Sequence, residues 1–218
     1  MPDEYSSMDQ LQFELALRNN IISASRQLNR SGISFRTFRN SMCNPAFWER
    51  TIEGGFLLKT GVRSNDAIRD IYVNGFLYGT ECATAIVIVY YKAIMDLYPA
   101  ELFNQLFSGI YLMNWMHLDS DLGVTTYRNL TDYFPGDCRY FKNPDVDPMT
   151  PQWQGENAID LGDGTYYGHG VGITTAAGII AALNRHRAPG SGQSAYLTDS
   201  ATRPDFKYLW SKYILPAA

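Results

Sequence analysis

Cysteine is scarce in this chain. The three that occur, Cys43, Cys82 and Cys138, are odd in number and contain no CxxC spacing. That excludes a fully paired disulfide framework, gives no zinc signal, and fits free thiols in a reducing compartment. No apolar run reaches the length of a membrane span, because Lys92 interrupts the most apolar stretch. The acidic start Met1-Pro2-Asp3-Glu4 leads into no apolar segment of the secretory kind, so no signal peptide is expected. Positive charge is also short: 18 Lys and Arg against 22 Asp and Glu leave a net charge of −4, without the basic stripe of a nucleic-acid binder. There is no EF-hand pattern and no Cys/His metal spacing, so no metal is expected.

What remains is an ordinary globular composition, 45% hydrophobic and 18% charged over 218 residues, enough for a single domain spanning 1–218. Helices come early: Ser7 to Leu28, with Leu11, Leu15, Ile22 and Leu28 near one face; Ser64 to Val73, capped by Ser64 and ended by Asn74-Gly75; and a helix opened by Pro99 and running from Ala100 to Phe107. Strands come later: Ile110 to Trp115, Arg139 to Phe141, then Asn157 to Leu161 and Thr165 to Ile173 joined by Gly162-Asp163-Gly164 as a hairpin. Thr174 or Thr175 caps a further helix to about Arg187, and Ala195 to Leu197 adds a strand. This order predicts an α+β fold.

The stretch Tyr78 to Tyr91, YGTECATAIVIVYY, is the centre of the reading. Its β-branched run also suits a buried strand, but nothing breaks the chain from Cys82 to Leu97, and that length favours a helix. Gly79 and Thr80 supply a break and an N-cap, Glu81 and Cys82 fall in the first turn, and the apolar remainder is expected to be buried on all sides. A thiol at a helix N-terminus meets unpaired N–H groups and the positive dipole end, which lower its pKa and favour the nucleophilic thiolate.

Such a nucleophile needs a base and a group that orients it. His186, among Asn184, Arg185 and Arg187, reads as a solvated helix end, and His117 stays open in a polar loop. His169 lies in Gly168-His169-Gly170-Val171-Gly172, where glycines permit close approach. A Gly162-Asp163 turn puts Glu156 directly across from His169, and an Asp163-Gly164 turn leaves them diagonal neighbours, so the two side chains are expected to meet. A cross-strand polar pair at a sheet edge accounts for the same spacing. Glu81 is either a dipole contact or a group facing the thiol, and Cys138 reads as a structural thiol. By residue type alone, Phe35, Trp115 and Trp153 are core candidates.

Together, Glu81-Cys82-Ala83-Thr84-Ala85-Ile86-Val87-Ile88, Gly136-Asp137-Cys138, Tyr140-Phe141-Lys142-Asn143-Pro144, Gln152-Trp153-Gln154-Gly155-Glu156-Asn157 and Gly168-His169-Gly170-Val171-Gly172-Ile173 closely resemble the bacillary spore transglutaminases. The segments Ala67-Ile68-Arg69-Asp70-Ile71 and Gln193-Ser194-Ala195-Tyr196-Leu197 do too, and the likeness runs from about Asp9 to Arg203, nearly the whole chain and in the same order. That family usually begins with a longer leader than the one here. The resemblance implies a protein-glutamine γ-glutamyltransferase on an NlpC/P60-like, papain-related core, an antiparallel sheet packed against the central helix that starts at the catalytic cysteine. It places the catalytic cysteine on Cys82, the histidine on His169, the carboxylate on Glu156 and a preceding glutamate on Glu81. It turns Phe35, Trp115 and Trp153 into candidates for the lining of a substrate tunnel. It implies calcium independence, no cofactor, and protein partners: glutamine donors and lysine acceptors among spore coat proteins, with no nucleic acid and no membrane. The expected location is the spore coat, after synthesis in the mother-cell cytoplasm. The competing readings are a cysteine peptidase of the NlpC/P60 type, acting on cell-wall peptides, and a non-catalytic coat scaffold.

Overall fold

From Ala83 to Ile94, every residue of the helix α3 (Cys82–Met95) is buried, and the rest of the chain is layered around it. A helix apolar on all sides has to be covered on all sides. Each fully buried Ile, Val or Tyr on it contributes about 1.5–3 kcal/mol of transfer free energy, so the covering layers are strongly favoured. The computed structural model describes residues 5–115 and 117–214.

The first layer is α1 (Met8–Arg30), capped by the Ser7 hydroxyl, which accepts from Gln10 N–H. It packs along α3 through Phe13, Leu17, Ile21, Ala24 and Leu28. Of the face expected from the sequence only Leu28 is among its buried residues, and Leu15 is exposed. Two apolar stripes overlap on this helix, and the one carrying Phe13 meets α3. The helices α2 (Ser64–Val73) and α4 (Ala100–Leu106) cover further flanks. Ser64 does not cap α2. Arg63 holds that position, while the Ser64 hydroxyl bonds Asn104 across to α4.

The other side of α3 is covered by a six-stranded antiparallel sheet made of β6 (Thr125–Arg128), β7 (Cys138–Lys142), β8 (Gly155–Asp160), β9 (Thr165–Gly168), β10 (Gly172–Thr175) and β11 (Tyr196–Arg203), in the order β10-β9-β8-β7-β11-β6. Cys138 and Ile159 pair across β7 and β8 and face the α3 core, whereas Phe141 and Ala158 face α5 (Ala176–Asn184), capped by Thr175. Two small sheets complete the strands. One is antiparallel, of β2 (Trp48–Arg50), β3 (Phe56–Leu58) and β5 (Tyr111–Leu112), and the other pairs β1 (Ser34–Phe35) with β4 (Gly79–Thr80) in parallel. The expected strand from Ile110 to Trp115 is thus only Tyr111–Leu112.

A last helix, α6 (Phe206–Ile214), packs on α1. Beside it, the fully buried Asp137 accepts from Arg18 at 2.8 Å and from both Arg203 Nε and Nη2 at 2.7 Å, tying α1 to the end of β11. The architecture is therefore mixed α/β, with six helices and antiparallel sheets among the described residues.

One departure from the sequence reading matters for the site. The stretch from Thr165 to Ile173 is not one strand. It folds back on itself at His169-Gly170-Val171, and β10 returns antiparallel along β9. Gly172, at φ +90°, adopts the left-handed backbone that this reversal uses. His169 consequently sits in a turn over the end of β8.

Candidate active site

The site is assembled at the N-terminus of α3. The parallel pairing of Ser34 with Gly79 and of Phe35 with Thr80 lays β1 against the segment that enters the helix. The N-cap is Glu81, not Thr80, which belongs to β4. Glu81 Oε2 accepts from Ala83 N–H at 2.7 Å, and Oε1 accepts from Thr84 N–H at 2.6 Å and from the Thr84 hydroxyl at 2.5 Å. A carboxylate suits this position because two otherwise unpaired amides and the positive dipole end converge on it. The Thr84 hydroxyl also accepts from Asn114 N–H at 2.9 Å, which fixes the turn carrying Trp115.

Cys82 follows directly and lines a cavity of about 1150 Å³ together with Phe35, Glu81, Trp115, Tyr140 and Asn157. Its sulfur meets Asn157, whose Nδ2 donates to Sγ at 3.5 Å. The thiol does not have the lowered pKa expected at a helix start. Burial pushes it well above the ordinary value, the negative charges of Glu156 and Glu81 push it further, and only the Asn157 backbone and side-chain donors oppose them. The helix-start amides expected to favour the thiolate are occupied by Glu81.

Glu156 and His169 stand behind the cavity wall. On β8, Glu156 pairs with Phe141 and Asn157 with Tyr140, so the neighbouring side chains leave the strand on opposite faces. The hairpin register brings Ala158 opposite Gly168, one residue away from either expected turn, because Gly162 and Gly164 both adopt positive φ in a longer loop. Glu156 therefore meets the backbone of the turn, accepting from Gly170 N–H at 3.2 Å, rather than the imidazole. The carboxylate is 1% exposed. Burial raises its pKa to about 8, with a further push from Glu81 and opposition from the Gly170 and His169 N–H groups. Gly168 is required by this approach, since a Cβ there would lie 2.8 Å from Glu156 Cγ.

The His169 ring is held by other groups. Its Nε2 lies 3.2 Å from the Ser34 carbonyl oxygen and its Nδ1 lies 3.0 Å from the Tyr167 hydroxyl. A carbonyl only accepts, so Nε2 carries the proton and Nδ1 accepts from Tyr167. Burial lowers the imidazole pKa to about 4, against the raising effect of the Ser34 and Thr80 carbonyls. For His169 to exchange a proton with Cys82, the ring has to release one of these partners.

The three expected aromatic residues lie at two adjoining pockets. Phe35 and Trp115 line the main cavity, and Trp153 lines a smaller pocket that shares Phe35 and reaches Ser34 and Arg36. Phe35 packs at 5.5 Å from Trp153 and at 6.2 Å from His169, forming the partition between the two spaces. His186 stacks on Trp153 at 4.3 Å with the rings parallel, and His117 packs on Tyr111. Cys138 is buried on β7, facing the α3 core, and Cys43 is half-buried elsewhere. Asn157, Tyr167 and Ser34 were absent from the sequence-derived site. Strand alternation beside Glu156 was the available signal for Asn157. Among the described residues no cluster of His, Cys, Asp and Glu could hold a metal ion, and no helix is long and apolar enough to cross a membrane.

Fold and site together define a mixed α/β protein with a thiol heading its buried central helix inside an aromatic-lined cavity. A family model described as protein-glutamine gamma-glutamyltransferase matches residues 3–213. A protein of that name from Bacillus mycoides is 50% identical over 212 residues, covering 97% of this chain and 76% of its own length. Another from Bacillus cereus is 49% identical over 205 residues, covering 94% of this chain and 74% of its own. A solved structure, a transglutaminase from Geobacillus stearothermophilus without its C-terminal extension, superposes with a TM-score of 0.90 at 52% identity, covering 96% of this chain and 99% of that one. The chain belongs to the protein-glutamine gamma-glutamyltransferase family, and it is an acyltransferase. The peptidase and scaffold readings of the sequence give way to this one.

Proposed function

We propose that the chain joins protein glutamines to protein lysines through a thioester on Cys82, on a papain-related, NlpC/P60-like core. The observation that carries this is the placement of a thiol inside a large cavity, at the N-terminus of a buried helix, with Glu81 and Asn157 around it and Glu156 and His169 behind. The Cys82 sulfur attacks the γ-carboxamide carbon of a glutamine. The C–N bond breaks, ammonia leaves with the thiol proton, and a thioester remains. A neutral lysine amine then attacks the thioester carbon. Its surplus proton returns to the sulfur, and an ε-(γ-glutamyl)lysine bond is left.

The protons need carriers, and the site offers two with displaced pKa values. Glu156, raised to about 8, is a carboxyl that exchanges a proton near neutral pH, the range in which general acid–base help is most effective. His169, lowered to about 4, is a neutral imidazole whose ring can serve once it turns from Tyr167. Transfer to an amine exceeds hydrolysis only where water is kept from the thioester. Phe35, Trp115 and Trp153 supply apolar walls for that purpose.

Spore coat proteins as substrates, synthesis in the mother-cell cytoplasm and the coat as the final location are part of this proposal, and they rest on the resemblance of the sequence motifs to the bacillary spore transglutaminases. Neither a metal nor a cofactor takes part in this scheme. The test is incubation with a glutamine-bearing protein and a fluorescent primary amine. Incorporation together with release of ammonia supports the reading, and cleavage of peptide bonds without incorporation contradicts it.

A further inference from the structure

We propose that Asn157 is a catalytic residue: its side-chain amide holds the Cys82 sulfur and then donates to the oxyanion that forms when that sulfur attacks the substrate carboxamide. The inference rests on Cys82 being the nucleophile.

Two observations lead to it. The first is that two of the donors at the helix start are spent. Ala83 and Thr84 N–H both donate to Glu81, at 2.7 and 2.6 Å, so neither amide is available to a substrate oxygen while the cap is in place. An oxyanion needs preorganised donors at the point where charge develops, and with these two amides committed a further donor is needed from across the cavity. The second is that Asn157 occupies that place. It leaves β8 on the cavity face, paired with Tyr140, and its Nδ2 is 3.5 Å from Cys82 Sγ. An oxygen on the carbon bonded to sulfur lies within about a hydrogen-bond length of the same amide nitrogen.

The surroundings explain why a neutral donor is used. Burial disfavours charge on the sulfur, and Glu156 and Glu81 add to that effect. A carboxylate at 157 would add a third repulsion, and an aliphatic residue would leave the thiolate without its side-chain donor. An amide supplies a hydrogen bond, fits the space between β8 and α3, and takes no proton from the substrate. Position 157 also explains the division of labour on β8: Glu156 goes to the far face, where it anchors the His169-Gly170 turn, and Asn157 goes to the reacting face.

Three variants of the full chain test this: Asn157→Ala, the isosteric Asn157→Asp, and Cys82→Ala as the reference for the nucleophile. The readouts are kcat and KM for amine incorporation, and the pH dependence of iodoacetamide labelling at Cys82, read by peptide mass mapping. The expected result is a loss of kcat of about 10²–10³-fold for Asn157→Ala with KM nearly unchanged, the scale of removing one oxyanion donor. The labelling midpoint of Cys82 should move to higher pH in both Asn157 variants, and further in Asn157→Asp. A purely structural asparagine would not move that midpoint. Activity within about threefold of the parent in either Asn157 variant, or an unmoved labelling midpoint, overturns the inference. Activity retained by Cys82→Ala would instead overturn the assignment of the nucleophile, so the two failures are distinguishable.

Discussion

The hydroxyl of Tyr167 donates to His169 Nδ1 at 3.0 Å, and this contact, not one with Glu156, orients the imidazole. Tyr167 is buried, and its own pKa is raised by that burial and by Glu156, so it stays protonated and remains a donor. A donor on the neutral ring disfavours the imidazolium. Tyr167→Phe should therefore raise the His169 midpoint, followed by NMR, above about 4, while burial still holds it below the ordinary imidazole value. It should also cost about 1–2 kcal/mol of stability for the buried nitrogen left unpaired. An unchanged midpoint would mean that the hydroxyl does not govern the ring.

Glu156 and His169 impose opposite pH dependences on stability. The His169 folded pKa, about 4, lies below its reference of 6.5, so the unfolded chain binds more protons between these values and stability rises with pH there. The Glu156 folded pKa, about 8, lies above its reference of 4.5, so the folded chain binds more protons between them and stability falls as pH rises. The two effects offset each other between about pH 4.5 and 6.5, and only the fall remains from there to about 8. Thermal melts should show the Tm of Glu156→Gln losing less than the parent's across that upper window. Parallel curves for the two proteins would refute the raised pKa.

Glu81 is committed to the helix. With both carboxylate oxygens on the Ala83 and Thr84 groups, Glu81→Ala should cost about 1–2 kcal/mol, the upper range for losing an N-cap. Because the Thr84 hydroxyl also holds Asn114 N–H, the turn carrying Trp115 should loosen as well. If Glu81 works through the cap and Glu156 through proton exchange, the kcat losses of Glu81→Gln and Glu156→Gln should multiply in the double variant. A loss well beyond the product would show the two carboxylates sharing one role.

Phe35 separates the two spaces at the site. Its replacement by Ala should admit water to the thioester, raising ammonia release relative to amine incorporation several-fold. Equal ratios in parent and variant would remove Phe35 from the barrier. EDTA should leave incorporation unchanged, and activity restored by added calcium would contradict a metal-free reaction.

Much of this arrangement was legible in the sequence, because the strongest local signals were also the ones tertiary structure kept. The uninterrupted apolar run after Cys82 forms the buried α3, and Thr175, one of the two expected caps, opens α5. The helix α6 and the strand β6 went unread, since β6 is exposed along its whole length and carries no apolar alternation. The pairing of Glu156 with His169 was misread for a specific reason. Register was inferred from two-residue turns, and glycines at 162 and 164 permit a longer loop that shifts it by one residue. A shift of that size changes every partner across a hairpin. The thiol's raised pKa was equally out of reach, because it depends on burial and on Glu156, which are products of the fold.

The central claim is that the glutamyl group passes through a covalent bond to Cys82. Intact mass spectrometry of the protein, quenched in acid after brief mixing with a glutamine-bearing peptide and no amine, tests it most directly. The account predicts an adduct equal to the peptide less ammonia, mapped by digestion to Cys82, absent in Cys82→Ala and discharged by a primary amine. An adduct on Cys43 or Cys138, or steady turnover with no thioester at Cys82 under any quench, would contradict it.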